Sequence, residues 1–172
     1  MLQYTMKIAI TGRPGIGKTT ACLRVYEILK DKMNIEGFIT FEVREKGKRI
    51  GFKIRDLKGS KETWLAKIGD GKVRVGKYAV FVDSVDEISR DIAHYNADLI
   101  IIDEIGPMEL KSKKFIEAVE KLINKDNNLL FSIHLKSNHP LLQKIRESFR
   151  VFILNEKNRD NVPSEISKML YD

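Results

Sequence analysis

The sequence predicts an α/β fold in which helices cover both faces of a doubly wound, mostly parallel sheet. Three observations carry this prediction. A strand-like run at 6–11 leads into a glycine-rich turn and then into a helical pattern. The segment 99–102 is continuously apolar, which is typical of a strand that is buried on both faces. Strands and helices alternate over most of the chain, as they do in such folds.

A β-hairpin-rich insertion is predicted early in the chain, at about 37–82. Polar and apolar residues alternate on either side of a short segment that contains Gly47, and this pattern is typical of a hairpin. We therefore expect one domain over 1–172, with an α/β core and antiparallel strands inserted after the first helix. The strands expected within the insertion are 37–44, 49–55, 63–68 and 78–82.

The helices are predicted from apolar spacing and capping residues. The first is expected at about 18–32, with Ile28 on its buried face. Ser84 and Glu87 have the spacing of a capping box, which places the start of the second helix at Ser84. The third is expected to begin near Ser112. The remaining elements are a strand at 129–133, a helix at 141–149, a strand at 151–154 and a helix at about 163–170.

The turn after the first strand has the spacing G-x-x-x-x-G-K-[ST], which is typical of a phosphate-binding loop. Its glycines let backbone N–H groups surround phosphate oxygens, and the helix that follows adds the positive end of its dipole. Lys18 is expected to reach the β- and γ-phosphates, and the Thr19 hydroxyl to bind Mg²⁺. The sequence thus predicts a P-loop nucleotide-binding domain. The predicted loop comprises Gly12, Arg13, Pro14, Gly15, Ile16, Gly17, Lys18 and Thr19, with Thr20 next to it.

An acidic pair, Asp103 and Glu104, ends the apolar run at 99–102. Ligands bind beyond the carboxyl ends of parallel strands, so the pair is expected beside the phosphate loop. We expect Asp103 to hold Mg²⁺ together with Thr19, and Glu104 to orient or deprotonate an attacking water. The alternative is an acidic pair that merely ends a strand.

A cation beyond Lys18 is expected at the γ-phosphate, and Arg159 is the preferred candidate. His134, at the end of a predicted strand, is a candidate γ-phosphate contact. The three histidines lack the spacing of a zinc site. The candidate arginines are Arg44, Arg74, Arg146 and Arg159, each of which has an ordinary surface charge as its alternative.

Three aromatic residues of the insertion, Phe52, Trp64 and Tyr78, are expected to pack a small core of their own, with base stacking as the alternative. The formal charge of +7 arises from residues spread along the chain. Nucleic acid is therefore a less favoured partner than small nucleotides. No apolar stretch reaches membrane-spanning length, the N-terminal run does not have the pattern of a signal peptide, and Cys22 is the only cysteine. We expect a cytoplasmic protein, monomeric by default.

Several strings in this sequence resemble the thermostable nucleoside-triphosphatase family, which includes the cancer-related nucleoside triphosphatase. They are the loop at 10–20, the segments at 37–45 and 75–78, the string D-E-I-G-P-M-E-L at 103–110, and N-R-D at 158–160. Ile39 departs from the family pattern, in which an aromatic residue is expected at this position in many members.

The resemblance implies Mg²⁺-dependent hydrolysis of ATP, GTP, CTP and UTP to diphosphate and phosphate, with loose base selectivity. It also implies that the loop residues bind triphosphate. A second nucleotide-site segment follows from it, comprising Leu99, Ile100, Ile101, Ile102, Asp103, Glu104, Ile105 and Gly106.

Two other functions use the same loop and metal. A nucleotide or nucleoside kinase would need a second pocket for a phosphoryl acceptor and a lid that excludes water. A nucleic-acid-linked regulatory ATPase would respond to DNA or RNA with faster turnover.

Overall fold

One mixed sheet of nine strands runs through the described residues, 4–172, of this computed structural model. Residues 1–3 of the predicted domain lie outside the described part. The strands are β1 Lys7–Thr11, β2 Ile35–Glu45, β3 Lys48–Asp56, β4 Glu62–Ile68, β5 Arg74–Val75, β6 Tyr78–Val80, β7 Leu99–Ile105, β8 Asn128–Ile133 and β9 Arg150–Ile153. The helices are α1 Lys18–Leu29, α2 Val82–His94, α3 Lys113–Ile123, α4 Pro140–Ser148 and α5 Val162–Leu170.

The strand order is β5-β6-β4-β3-β2-β7-β8-β1-β9. The pairs β2–β7, β7–β8, β8–β1 and β1–β9 are parallel, whereas β3, β4, β6 and β5 extend the sheet by antiparallel pairing. The predicted α/β class with a mostly parallel core is confirmed. Both β1 and β7 pair with β8 in parallel, so their carboxyl ends lie at the same edge of the sheet.

The strand β2 belongs to both parts of the sheet. Its first residues pair in parallel with β7, from Ile35 opposite Leu99 to Phe38 opposite Ile102, and the rest of the strand pairs with β3. The predicted hairpin is confirmed, with Lys46 and Gly47 in its turn at positive φ, as a two-residue hairpin turn requires. The antiparallel strands therefore continue the core sheet, and we call them the sheet extension.

Apolar side chains cover the parallel core on both faces. The helices α1 and α5 pack on one face, and α2, α3 and α4 pack on the other. The buried stripe of α1 includes Val25 and Leu29, whereas Ile28 is 40% exposed. The expectation that Ile28 lies on the buried face is wrong, because the helix ends at Leu29 and that residue takes the position against the sheet.

Two helix starts were predicted from caps, and only one is observed. Ser112 caps α3, since its hydroxyl accepts a hydrogen bond from the Phe115 N–H. The capping box at Ser84 is wrong, because α2 already begins at Val82. The Ser84 hydroxyl instead makes a hydrogen bond with Thr63 of β4. Within the described residues, no helix combines the length and apolar character needed to cross a membrane.

Candidate active site

The phosphate-binding loop connects β1, which lies between β8 and β9 in the parallel core, to α1. Gly17 immediately precedes α1 and has a φ of 113°, a conformation that a side chain would strain. No side chain of residues 4–172 caps the first helical N–H groups, so these groups are available to an anion. The loop thus has the backbone arrangement that a polyphosphate site requires.

Lys18 is the most buried charged side chain of the loop, at 8% exposed. Its Nζ lies 3.2 Å from the carbonyl oxygen of Gly12 and 3.2 Å from Oε2 of Glu104. The ammonium group is therefore held between the loop backbone and the second acid of the predicted pair. A phosphate that entered the loop would meet both of these groups.

Asp103 is fully buried and lies at the centre of a hydrogen-bond network. Its Oδ2 accepts a hydrogen bond from the Thr19 hydroxyl at 2.7 Å and lies 3.4 Å from the Thr40 N–H. Its Oδ1 accepts from the Ser132 hydroxyl on β8. Burial raises the pKa of Asp103 to about 6, although these hydrogen bonds favour its ionised form.

A register shift between β7 and β8 sets the position of the acidic pair. Ile102 pairs with Phe131 and Ile105 with Ile133, so two residues of β7 face the single residue Ser132. Such a bulge redirects side chains at the end of a strand. Here it coincides with Asp103 facing Thr19 and Glu104 approaching Lys18.

The group formed by Thr19 and Asp103 fits a magnesium ion. Magnesium prefers oxygen ligands and is often bound by one or two carboxylates together with substrate phosphates. The hydroxyl and carboxylate oxygens are 2.7 Å apart, and the buried Thr40 hydroxyl next to them has no hydrogen-bond partner within the described part of the chain. Among residues 4–172, no group of three or more His, Cys, Asp or Glu side chains could hold a metal by itself. Phosphate and water oxygens would therefore complete the coordination.

The raised pKa of Asp103 predicts how the stability of the metal-free protein depends on pH. The folded state binds more protons at this carboxyl than the unfolded chain does, so its contribution to stability falls as the pH rises from about 4 to about 6. Asp103→Asn removes this contribution. At pH 7 the free energy of unfolding is expected to be higher for the variant than for the wild type, by up to about 3 kcal/mol. This difference should become smaller toward pH 4.

Urea denaturation in a chelator, at several pH values, measures this difference. The exposed Asp126 supplies the control Asp126→Asn, for which the difference from the wild type should not change in this way. A constant difference for Asp103→Asn between pH 4 and pH 7 would contradict the assignment.

A third acid, Glu109, was not identified from the sequence. It lies in a short 3₁₀ turn, is 3% exposed, and lines the same cleft as Glu104. Burial raises its pKa, and the negative charge of Glu104 raises it further. The available signal was an acid with apolar neighbours at 107–110. This pattern alone does not show whether the acid is buried or lies on the surface.

His134 lies at the end of β8 and lines the cleft. Its Nδ1 accepts hydrogen bonds from the N–H groups of Ser137 at 3.1 Å and Lys136 at 3.3 Å. Burial lowers its pKa, with Lys18 acting in the same direction. The neutral ring then carries its proton on Nε2 and can donate a single hydrogen bond.

The cleft has a volume of about 770 Å³ and opens between the phosphate loop and the sheet extension. This volume is within the range of small-molecule sites. The residues that line it include Pro14, Gly15, Gly17, Lys18, Thr19 and Thr20 from the loop, Glu104, Pro107, Met108 and Glu109 after β7, and Thr40, Phe52 and Tyr78 from the sheet extension.

Within the described residues, Arg159 is the one candidate arginine that makes a hydrogen bond to the phosphate loop. Arg159 lies with Nη1 3.4 Å from the carbonyl oxygen of Ile16. Arg146 donates to the carbonyl oxygens of His134 and Ser137 and so fixes the segment after β8. Arg44 and Arg74 make hydrogen bonds within the sheet extension, to Gly47 and Gly69 respectively.

The predicted second nucleotide-site segment, 99–106, contains both buried apolar residues and the acidic pair. The side chains of Leu99, Ile100, Ile101, Ile102 and Ile105 are completely buried in the two core clusters and do not line the cleft. That the segment 99–106 belongs to the nucleotide site stays a prediction, in which these five side chains would support the site from the core. Their apolar packing holds Asp103 and Glu104 in position.

The three aromatic residues of the insertion do not form a core of their own, so this expectation is wrong. Tyr78 is buried in the main core cluster, and Phe52 packs against it with ring centroids 5.3 Å apart. Trp64 belongs to neither core cluster of the described residues.

A glycine-rich loop before the first core helix, joined through Thr19 and Lys18 to an acidic pair two strands away, defines a P-loop nucleotide-binding protein. The family model described as NTPase matches residues 7–167 of the chain. The chain therefore belongs to this family of nucleoside triphosphatases, as the sequence resemblance predicts.

Named relatives agree with this assignment. The chain is 56% identical over 165 residues to Nucleoside-triphosphatase THEP1 of Archaeoglobus fulgidus, covering 96% of this chain and 99% of the relative. A THEP1 of Methanocaldococcus jannaschii is 44% identical, with 94% of this chain and 95% of the relative covered.

Two solved structures share the fold. The crystal structure of THEP1 from Aquifex aeolicus has a TM-score of 0.82 and 33% identity, covering 97% of this chain and all of the other. The solution structure of a human cancer-related nucleoside triphosphatase also has a TM-score of 0.82, with 31% identity over 97% of this chain and 98% of the other.

Proposed function

We propose that this chain hydrolyses nucleoside triphosphates to the diphosphate and inorganic phosphate, with Mg²⁺ as cofactor. The observation that carries the proposal is the convergence of Lys18, Glu104 and the Thr19–Asp103 pair at one end of the cleft. The names of the relatives support the reaction class.

Each residue has a separate part in the proposed reaction. The N–H groups of the loop and Lys18 bind the β- and γ-phosphates. Glu104 orients a water and accepts its proton while the water oxygen bonds to the γ-phosphorus and the bond to the β-phosphate oxygen breaks. Thr19 and Asp103 would hold the magnesium ion, which supplies positive charge to the phosphate oxygens when it is bound. Arg159 adds charge beside the loop.

Loose base selectivity is part of the proposal. The residues assigned above act on phosphate, metal or water, and none of these roles depends on the base. We therefore expect ATP, GTP, CTP and UTP all to be substrates, with similar ratios of kcat to KM. The cytoplasmic location and the monomeric state stay predictions.

Phosphate release from each triphosphate, with Mg²⁺ and with a chelator, tests this function directly. Release of free phosphate that depends on the divalent ion is expected for every triphosphate. Repeating the assay with γ-labelled ATP and added nucleosides or monophosphates separates hydrolysis from phosphoryl transfer. Label that moves to an acceptor instead of to free phosphate would contradict the proposal.

Arg159→Ala is expected to lower kcat by about tenfold with little change in KM. This is less than the effect of an enclosed arginine finger, because Arg159 is exposed and solvent screens its charge. The control is Arg24→Ala. Arg24 is also exposed, and it pairs at 3.7 Å with Asp160, the residue after Arg159. Equal effects of the two variants would contradict a specific role for Arg159.

A further inference from the structure

One face of the sheet extension presents two aromatic rings and three cationic side chains. Strand register places them together, with Phe41 opposite Lys53 and Lys53 opposite Trp64. Arg55 lies two positions after Lys53 on β3 and therefore on the same face, because side chains alternate along a strand. Lys67 pairs with Gly51, which lies two positions before Lys53, so a β-bulge on β4 brings Lys67 to this face as well. We call Phe41, Lys53, Arg55, Trp64 and Lys67 the stacking face.

The cations of this face lie over the rings. The Nζ atoms of Lys53 and Lys67 are 4.7 Å and 4.9 Å from the centre of the Trp64 ring, and the Arg55 guanidinium is 5.2 Å from the centre of Phe41. Both rings are half-buried. The absence of a side chain at Gly51 leaves room for Trp64, since a Cβ there would lie 3.0 Å from an atom of the indole.

Most of the stacking face lies outside the active site and the core, although Phe41 also lines the cleft. Trp64, Lys53 and Lys67 do not line the cleft. The opposite face of the same strands contributes Ile54 and Ala66 to the core. Within residues 4–172, neither ring of the stacking face belongs to a core cluster. In the described part of the chain, these rings are therefore covered by cations and are not packed into the core.

We propose that the stacking face binds single-stranded nucleic acid. Bases would stack on Trp64 and Phe41, and the cations that now cover the rings would move to the flanking phosphates. The charge fits, because among residues 4–172 the one ion pair of these three cations joins Lys53 to Glu62 at 3.4 Å. A chain with a net charge of +7 also attracts polyanions from a distance. The rings favour nucleic acid over an acidic peptide, which would use the cations only.

The chain contains a single tryptophan, so its fluorescence reports on this face alone. Titration with an oligothymidylate of about ten nucleotides is expected to quench the emission of Trp64 to saturation, since such sites span about 4–16 nucleotides. With three phosphate contacts, the logarithm of the binding constant should fall against the logarithm of salt concentration with a slope of about −2. An RNA of the same length should give similar quenching and a similar salt dependence.

Charge reversal on the face provides a matched comparison. Lys53→Glu with Lys67→Glu is expected to weaken binding by at least about tenfold. The control is Lys113→Glu with Lys114→Glu, an equal change of charge on two exposed lysines of α3, and it should weaken binding much less. Anisotropy of a labelled oligonucleotide gives the affinities, and circular dichroism checks the fold. If the reversed variant does not fold, Lys53→Gln with Lys67→Gln replaces it.

Three results would overturn the proposal. They are no quenching of Trp64, equal losses in the two charge-reversed variants, and equal quenching by polyglutamate of similar length. The proposal does not depend on triphosphate hydrolysis, so the titration is repeated with a saturating Mg²⁺ complex of a non-hydrolysable triphosphate. Saturable quenching of Trp64 with similar affinity is expected, because Trp64 lies outside the cleft, whereas loss of this quenching would place the oligonucleotide in the cleft and contradict binding at the stacking face.

Discussion

Replacing Lys18 with alanine is expected to lower kcat for triphosphate hydrolysis by about 10³-fold. The Lys18 ammonium lies 3.2 Å from the Gly12 carbonyl oxygen, at the point where β- and γ-phosphates are expected to bind. Without it, the negative charge that develops on the phosphates would face Glu104 with no intervening cation. Phosphate release under saturating Mg²⁺ and nucleotide measures the effect, and isothermal calorimetry measures the accompanying loss of nucleotide affinity.

A structural explanation for this loss is tested by a second variant. Lys18→Met keeps the buried aliphatic stem and removes only the charge, so it should lose activity as completely as the alanine variant does. Thermal unfolding of both variants shows whether the fold is retained. Near-normal turnover in either variant would contradict the assigned role of Lys18, and full activity in the methionine variant alone would assign the residue a packing role.

The parts of the fold that were predicted correctly depend on local patterns. The parallel core follows from the uninterrupted apolar run that became β7, and the hairpin follows from alternation around Gly47. The failure at Ser84 has a tertiary cause, because the hydroxyl that would cap α2 makes a hydrogen bond with Thr63 on β4. Capping patterns describe only the residues of one turn, so they cannot anticipate a contact with a distant strand.

The site shows the same division between local and long-range information. The phosphate loop and the acidic pair could be found because each is a contiguous string with a fixed chemical purpose. Ser132 and Thr40 could not, since their contacts with Asp103 join segments that are far apart in the sequence. Arg146 is similar, because an arginine that ties down the segment after β8 has no sequence pattern that separates it from a free surface charge.

Glu104→Gln is expected to lower kcat by about 10³-fold while nucleotide still binds. The amide keeps the size and hydrogen-bonding capacity of the side chain but cannot accept the proton of the attacking water. The ion pair between Glu104 and Lys18 sharpens the prediction. A nucleotide entering the wild-type site must draw Lys18 away from this carboxylate, and in the variant it need not.

We therefore expect Glu104→Gln to bind the Mg²⁺ complex of a non-hydrolysable triphosphate as tightly as the wild type or more tightly, by up to about tenfold. Glu156→Gln is the control, since it removes an exposed acid that pairs with Arg13 of the same loop at 2.7 Å. Calorimetry and single-turnover phosphate release separate the two effects. A parallel loss of affinity and turnover in Glu104→Gln would instead make this residue a structural or metal-binding group, because a proton acceptor contributes to the chemical step and not to the binding of the ground state.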